Sequence, residues 1–192
     1  MRSAKLLFGV LLVLGCCALS VAQMPSPPAA KTPGEALVAI ISIGEKEFTS
    51  AADAMPEDKY SFAPTNGEFK GVRTFAEQVK HVAATNYVFA SAILGEKPPV
   101  DLGGGENGPD SVKSKAEILK FLKDSFAYLT KALNSITDKN QLDQVTVFGE
   151  MKMARASVGA FSTAHPFDHY GQMVEYLRMN GIIPPASRQQ NQ

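Results

Sequence analysis

The sequence predicts an all-α protein: a four-helix bundle with long connections. Three observations predict it. Four segments repeat apolar residues at helical spacing, and two of them open on a complete capping box. No alternating pattern or internal repeat points to a sheet or a solenoid. The expected organisation is a leader over 1–22, an exposed linker over 23–32, the bundle over 33–185 and a disordered tail over 186–192.

The leader is read from Arg2 and Lys5, the apolar run Leu6 to Leu14, and the small residues Ser20-Val21-Ala22 before an expected cleavage point. The run is shorter than the roughly 20 apolar residues that span a bilayer. The expectation is an exported protein, periplasmic or secreted. The second alternative is a lipoprotein, anchored by lipid at Cys16 within Val13-Leu14-Gly15-Cys16. Cys16 and Cys17 are the chain's 2 cysteines, so residues 23–192 contain no disulfide, thiol nucleophile or thiolate ligand. Basic and acidic residues balance at 19 each, without a basic cluster, which argues against nucleic acid as a partner.

Pro and small residues make 23–32 a linker. Thr32-Pro33-Gly34-Glu35 then starts the first helix, with Thr32 as N-cap and Pro33 at the first helical position. Leu37, Ile40, Ile41 and Phe48 form its expected buried stripe, and Pro56 ends it. Tyr60 and Phe62 tuck a connection against the bundle before the Asn66-Gly67 turn. Thr74-Phe75-Ala76-Glu77 caps the second helix, which runs to Leu94 and stops at Gly95. His81 lies beside its apolar line, with Gln78 and Thr85 above and below.

Residues 96–113 hold Pro98-Pro99 and the run Gly103 to Pro109. They read as a long flexible surface loop rather than a cover for a site. No strand precedes this run and no Gly-Lys-Ser/Thr follows, which excludes a phosphate-binding loop. Ser114-Lys115-Ala116-Glu117 caps the third helix, expected to reach about Ile136. Val145 to Phe148 is at most a short extended piece. The fourth helical region spans about Glu150 to Asn180. Pro166 either kinks it or divides it near Ser162, with His165 then capping a new helix. Gly171 reads as a point of close helix approach, and Asn180-Gly181 ends the helix.

The chain has 3 His. His165 and His169 are four residues apart, one turn on one helical face, the spacing at which two imidazoles share a metal. With His81 on another helix they form a candidate three-histidine site for a divalent transition metal, Zn²⁺ or Ni²⁺ first. Asp168 and Gln172 are candidates to orient a ligand histidine. Tyr170 and Tyr176 are read as core residues before acid–base groups.

The order of these motifs resembles the DinB-like superfamily. They are Tyr60-x-Phe62-x-Pro64-x-x-Gly67, then Thr74-Phe75-x-Glu77-Gln78-x-x-His81. The closing motif is His165-x-x-x-His169-Tyr170-Gly171-Gln172, continuing through Tyr176-Leu177-Arg178 to Pro185. The resemblance covers nearly all of the chain after the leader. It implies a four-helix bundle with a divalent metal held by His81, His165 and His169, and a metal-dependent transferase or hydrolase that uses an activated water or thiol on a small molecule. The other readings are a non-catalytic metal- or ligand-binding bundle and a structural bundle with vestigial histidines. A homodimer is a further expectation.

Overall fold

A computed structural model describes residues 29–188; the leader, most of the linker, and residues 189–192 lie outside the described residues. Four helices carry the fold: α1 (Pro33–Ala54), α2 (Phe75–Leu94), α3 (Lys115–Asn134) and α4 (Arg155–Met179). A two-stranded antiparallel hairpin, β1 (Gln144–Val147) and β2 (Met151–Ala154), stands between α3 and α4.

The helix starts follow the local chemistry. The Thr32 hydroxyl accepts from the Glu35 amide at 3.1 Å, with Pro33 just inside the helix. Thr74 with Glu77, and Ser114 with Glu117, close both halves of a capping box. Each box satisfies amide groups that the first turn leaves without partners. Gly95 adopts the left-handed conformation (φ 72°) that ends α2.

Helix α2 packs against α3 and α4, and α1 packs against the same two, so α1 faces α2 across the bundle. The core between them holds Ile41, Phe48, Phe75, Phe89, Leu122, Phe126, Leu129 and Leu133. Phe48 meets Phe126 edge to face at 6.4 Å between ring centres. Burying each such side chain contributes about 1.5–3 kcal/mol. The connection after α1 tucks in as expected. Tyr60 donates its hydroxyl to the Ala52 carbonyl at 2.7 Å, and Phe62 packs on Tyr176 at 5.6 Å.

Six sequence expectations change or are resolved. Ile40 is 48% exposed, so the α1 stripe rests on Ile41 and Phe48. The extended piece at Val145 pairs with Met153 in a hairpin, and α4 starts at Arg155 rather than near Glu150. Met151-Lys152-Met153-Ala154 consists of good helix formers, and pairing with β1 overrides that propensity. Helix α4 runs through Pro166 without division. An internal proline costs about 3 kcal/mol and leaves the preceding turn's carbonyl without its donor. Just before it, Ser162 and Thr163 turn their hydroxyls onto the Gly159 and Ala160 carbonyls. Gly171 is exposed with nothing near its missing Cβ, so it mediates no close approach. Finally, Pro185–Ser187 form a 3-10 turn against α1, where the disordered tail was expected to begin.

Candidate metal centre

Helices α2 and α4 bring all three imidazoles to one point. His165 Nε2 lies 3.2 Å from His81 Nε2 and 3.2 Å from His169 Nε2. The unbroken helix across Pro166 keeps His165 and His169 on one face, which is what their approach requires. The three donor atoms lie within 4.8 Å of one another.

Hydrogen bonds behind the rings fix two of the three tautomers. His81 Nδ1 donates to the Glu106 carbonyl oxygen at 2.6 Å. A carbonyl only accepts, so Nδ1 carries the proton and the Nε2 lone pair faces the centre. His169 Nδ1 meets Gln78 Oε1 at 2.7 Å; Gln78 Nε2 donates to Gln172 Oε1 at 2.8 Å, and Gln172 Nε2 to Asp168 Oδ2 at 3.3 Å. The Asp168 carboxylate only accepts, and this sets the direction of every bond in the chain. His169 therefore also points a lone pair inward. His165 Nδ1 is buried without a hydrogen-bond partner, so no partner sets its tautomer.

Burial is the main cause of depressed basicity at all three. It lowers the His165 pKa to about 3, with His169, His81 and Arg73 acting in the same direction, and that of His169 to about 4, with His81 and Arg73 assisting and the Asp168 carboxylate opposing. Burial also lowers His81, opposed by its bond to the Glu106 carbonyl. All three rings are neutral at pH 7, as metal ligands must be. A proton on His165 Nε2 reaches only one of the two inward lone pairs at a time, whereas a divalent cation suits this set of neutral nitrogen donors. The residues present fit the group.

Protonation of these rings favours the unfolded chain, where an imidazole titrates near 6.5. Their contribution to stability is complete above that value and is lost as the pH falls toward 4. The metal-free protein is expected to lose several degrees of melting temperature between pH 7 and pH 5 in the presence of chelator. Below that window the depressed carboxyl of Glu77, held down by the Thr74 amide, adds a loss of the same sign. A flat profile above pH 5 would show that the imidazoles titrate freely.

The loop over 96–113 is not a free surface loop: its later part docks against α2 beside the centre. Arg73 donates to Asn107 Oδ1 at 2.8 Å and to Glu106 Oε2 at 2.9 Å, Asn107 donates to Glu77 at 3.2 Å, and Lys80 donates to the Pro109 carbonyl at 3.2 Å. Gly108 (φ 72°) lies against Lys80, where a Cβ would meet the Lys80 Cβ at 3.0 Å. The Gly-rich composition that suggested freedom instead permits this close approach.

Sequence reasoning missed Gln78 and the Glu106 carbonyl as direct partners of the site. Gln78 was visible as a neighbour of His81 on α2, but its partner is His169, and nothing in linear spacing signals that contact. Gln172 acts through Gln78, and Asp168 stands one step further out, exposed. Tyr176 donates to the Arg73 carbonyl at 2.9 Å, a packing role.

Beside the centre lies a cavity of about 490 Å³ lined by His81 and His165 at one end and by Val88, Leu102, Phe148 and Phe161 elsewhere. A separate polar cleft of about 660 Å³ is lined by Arg73, Glu77, Gln78, Asn107 and Gln172. Among the described residues no helix is long and apolar enough to cross a membrane.

Fold and site together define a helical bundle with a three-histidine centre able to hold a metal. The family model described as the DinB superfamily matches residues 40–173, and the chain belongs to that superfamily. No curated protein matches it. Among solved structures it is similar to a DinB-like protein from Bacillus cereus, with TM-score 0.61 and 18% identity over 79% of this chain and 95% of that one. It is similar to YfiT from Bacillus subtilis, described as a probable metal-dependent hydrolase with an unusual four-helix bundle topology (TM-score 0.57, 14% identity, 83% and 94% covered). A third similar structure is a mycothiol-dependent maleylpyruvate isomerase (TM-score 0.56, 14% identity, 73% and 60% covered). At these identities the likenesses show the fold.

Proposed function

We propose that the protein is a divalent-metal-dependent enzyme, a transferase or hydrolase acting on a small molecule, with the metal held by His81, His165 and His169. The observation that carries this reading is the convergence of the three Nε2 atoms, two with their lone pairs locked inward by hydrogen bonds behind the rings. A divalent ion there supplies Lewis acidity and makes a water or thiol nucleophilic at neutral pH. The chain's own residues do the rest. Glu106 and Gln78 orient the rings, and His81 and His165 face the cavity. The descriptions of YfiT and of the isomerase support an enzymatic reading over mere metal storage. Zn²⁺ and Ni²⁺ suit neutral imidazole donors best. The leader-like residues 1–22 support activity outside the cytoplasm.

The test is metal content by mass spectrometry after exposure to Zn²⁺, Ni²⁺ and Mn²⁺, with melting temperature before and after chelation. About one ion per chain is expected, with a melting temperature that falls when the ion is removed. Folded protein without stoichiometric metal overturns the reading.

A further inference from the structure

The cavity beside the imidazoles has features that stability does not explain. Phe148 sits in the hairpin turn at φ 51°, the one described residue other than glycine with positive φ. A bulky side chain is strained in that conformation, and glycine or asparagine would be the easy choices. The ring gains little burial in return, for it is 49% exposed, and its neighbour Phe161 is 44% exposed.

Both rings nevertheless belong to one aromatic face. Phe148 and Phe161 each pack edge-on against Phe89, at 5.4 and 5.2 Å between ring centres. Phe161 and Phe89 in turn lie 6.3 and 5.8 Å from His165. The face thus runs unbroken from the hairpin turn to the metal centre. The loop adds Leu102 to the same cavity. Apart from His165, the polar side chains on this cavity are already engaged: the Thr85 hydroxyl donates to the His81 carbonyl, His81 bonds to the Glu106 carbonyl, and the Glu106 carboxylate binds Arg73. No free charge faces a guest there, and the volume of about 490 Å³ suits a small molecule.

We propose that this cavity is the specificity pocket of the enzyme and takes an apolar ring of the substrate, whose polar end then faces the three imidazoles. Phe148 and Phe161 contact that ring. The inference rests on the metal-dependent function proposed above. Aromatic walls favour an aromatic guest through offset and edge-to-face packing. The strained turn is the device that turns Phe148 toward the guest.

The probes are benzohydroxamate and acetohydroxamate, which share a metal-binding group and differ in the ring, titrated by calorimetry into the metal-loaded protein. Benzohydroxamate is expected to bind about tenfold tighter or more. Phe148→Gly and Phe161→Ala should each remove most of that difference while metal content stays at the wild-type level. Phe148→Gly should not lower the melting temperature, since glycine relaxes the turn; a purely structural role for the ring would lower it. Equal affinity for the two probes in metal-loaded wild type overturns the pocket and leaves the metal reading standing. If no metal binds at all, the metal reading falls. The pocket is then decided by NMR titration of benzyl alcohol into the metal-free protein, where shifts confined to the Phe148–Phe161 face support it and their absence overturns it.

Discussion

His165→Ala is expected to abolish stoichiometric metal binding, with affinity lowered by more than the roughly 100-fold that loss of an outer partner costs at most. His165 is the common neighbour: its Nε2 is 3.2 Å from each of the other two, and it supplies the second imidazole of α4. Without it, one nitrogen remains on each of two helices. Gln78→Leu provides the comparison. It keeps all three imidazoles but removes the bond that locks the His169 tautomer, so a loss of about 10–100-fold is expected. Competition with a chelator of known affinity measures both. A second readout separates ligation from packing. Removing His165 removes a ring that resists protonation, so the metal-free variant should lose less stability than wild type between pH 7 and pH 5. Wild-type affinity in His165→Ala would remove this residue from the site.

Gly34→Ala is expected to destabilise the protein by about 2–3 kcal/mol, through overpacking. At that size the melting temperature falls by about 4–12 °C. A Cβ at Gly34 would collide with the Leu133 carbonyl oxygen and come within 2.8 Å of the Ile136 carbonyl oxygen. Both obstacles are backbone, so no rotamer change relieves the clash; α1 must move away from the end of α3. That movement would also stretch the Gly34 amide bond to the Ile136 carbonyl, now 3.2 Å. Gly171→Ala is the control. It lies on an exposed helical surface with open space around it, and should stabilise by about 0.5–1 kcal/mol. Denaturant melts of the two variants should therefore move in opposite directions.

These two glycines show what was legible in the sequence. Helix starts at Thr32, Thr74 and Ser114 were readable because capping is local chemistry, complete within four residues. The identity of a helix contact is not local. Gly171 lies next to the histidine motif, where sequence position alone suggests close approach, whereas Gly34, within a helix-start signal, meets residues about a hundred positions away. The site divides similarly. The pairing of His165 with His169 follows from helical spacing once Pro166 is tolerated, and α2 brings His81 to them. The groups that orient the rings, Gln78 and the Glu106 carbonyl, act across elements, and a backbone carbonyl has no side-chain signature at all. The hairpin was hidden for a different reason: β2 is written in helix-forming residues, and its turn uses Phe148 in place of the usual Asn-Gly signal.

The bond between His81 and the Glu106 carbonyl has a thermodynamic consequence. One hydrogen bond belongs both to the loop and to the ring that would hold the cation. Loop order and cation affinity are then two ends of a single cycle, and free energy around a cycle closes. Whatever factor the cation adds to the ordered state of the loop, ordering the loop adds to the affinity for the cation. A guest in the proposed pocket that ordered Leu102 and the glycines beside it would enter the same cycle, and its capture and retention of the cation would then reinforce each other reciprocally.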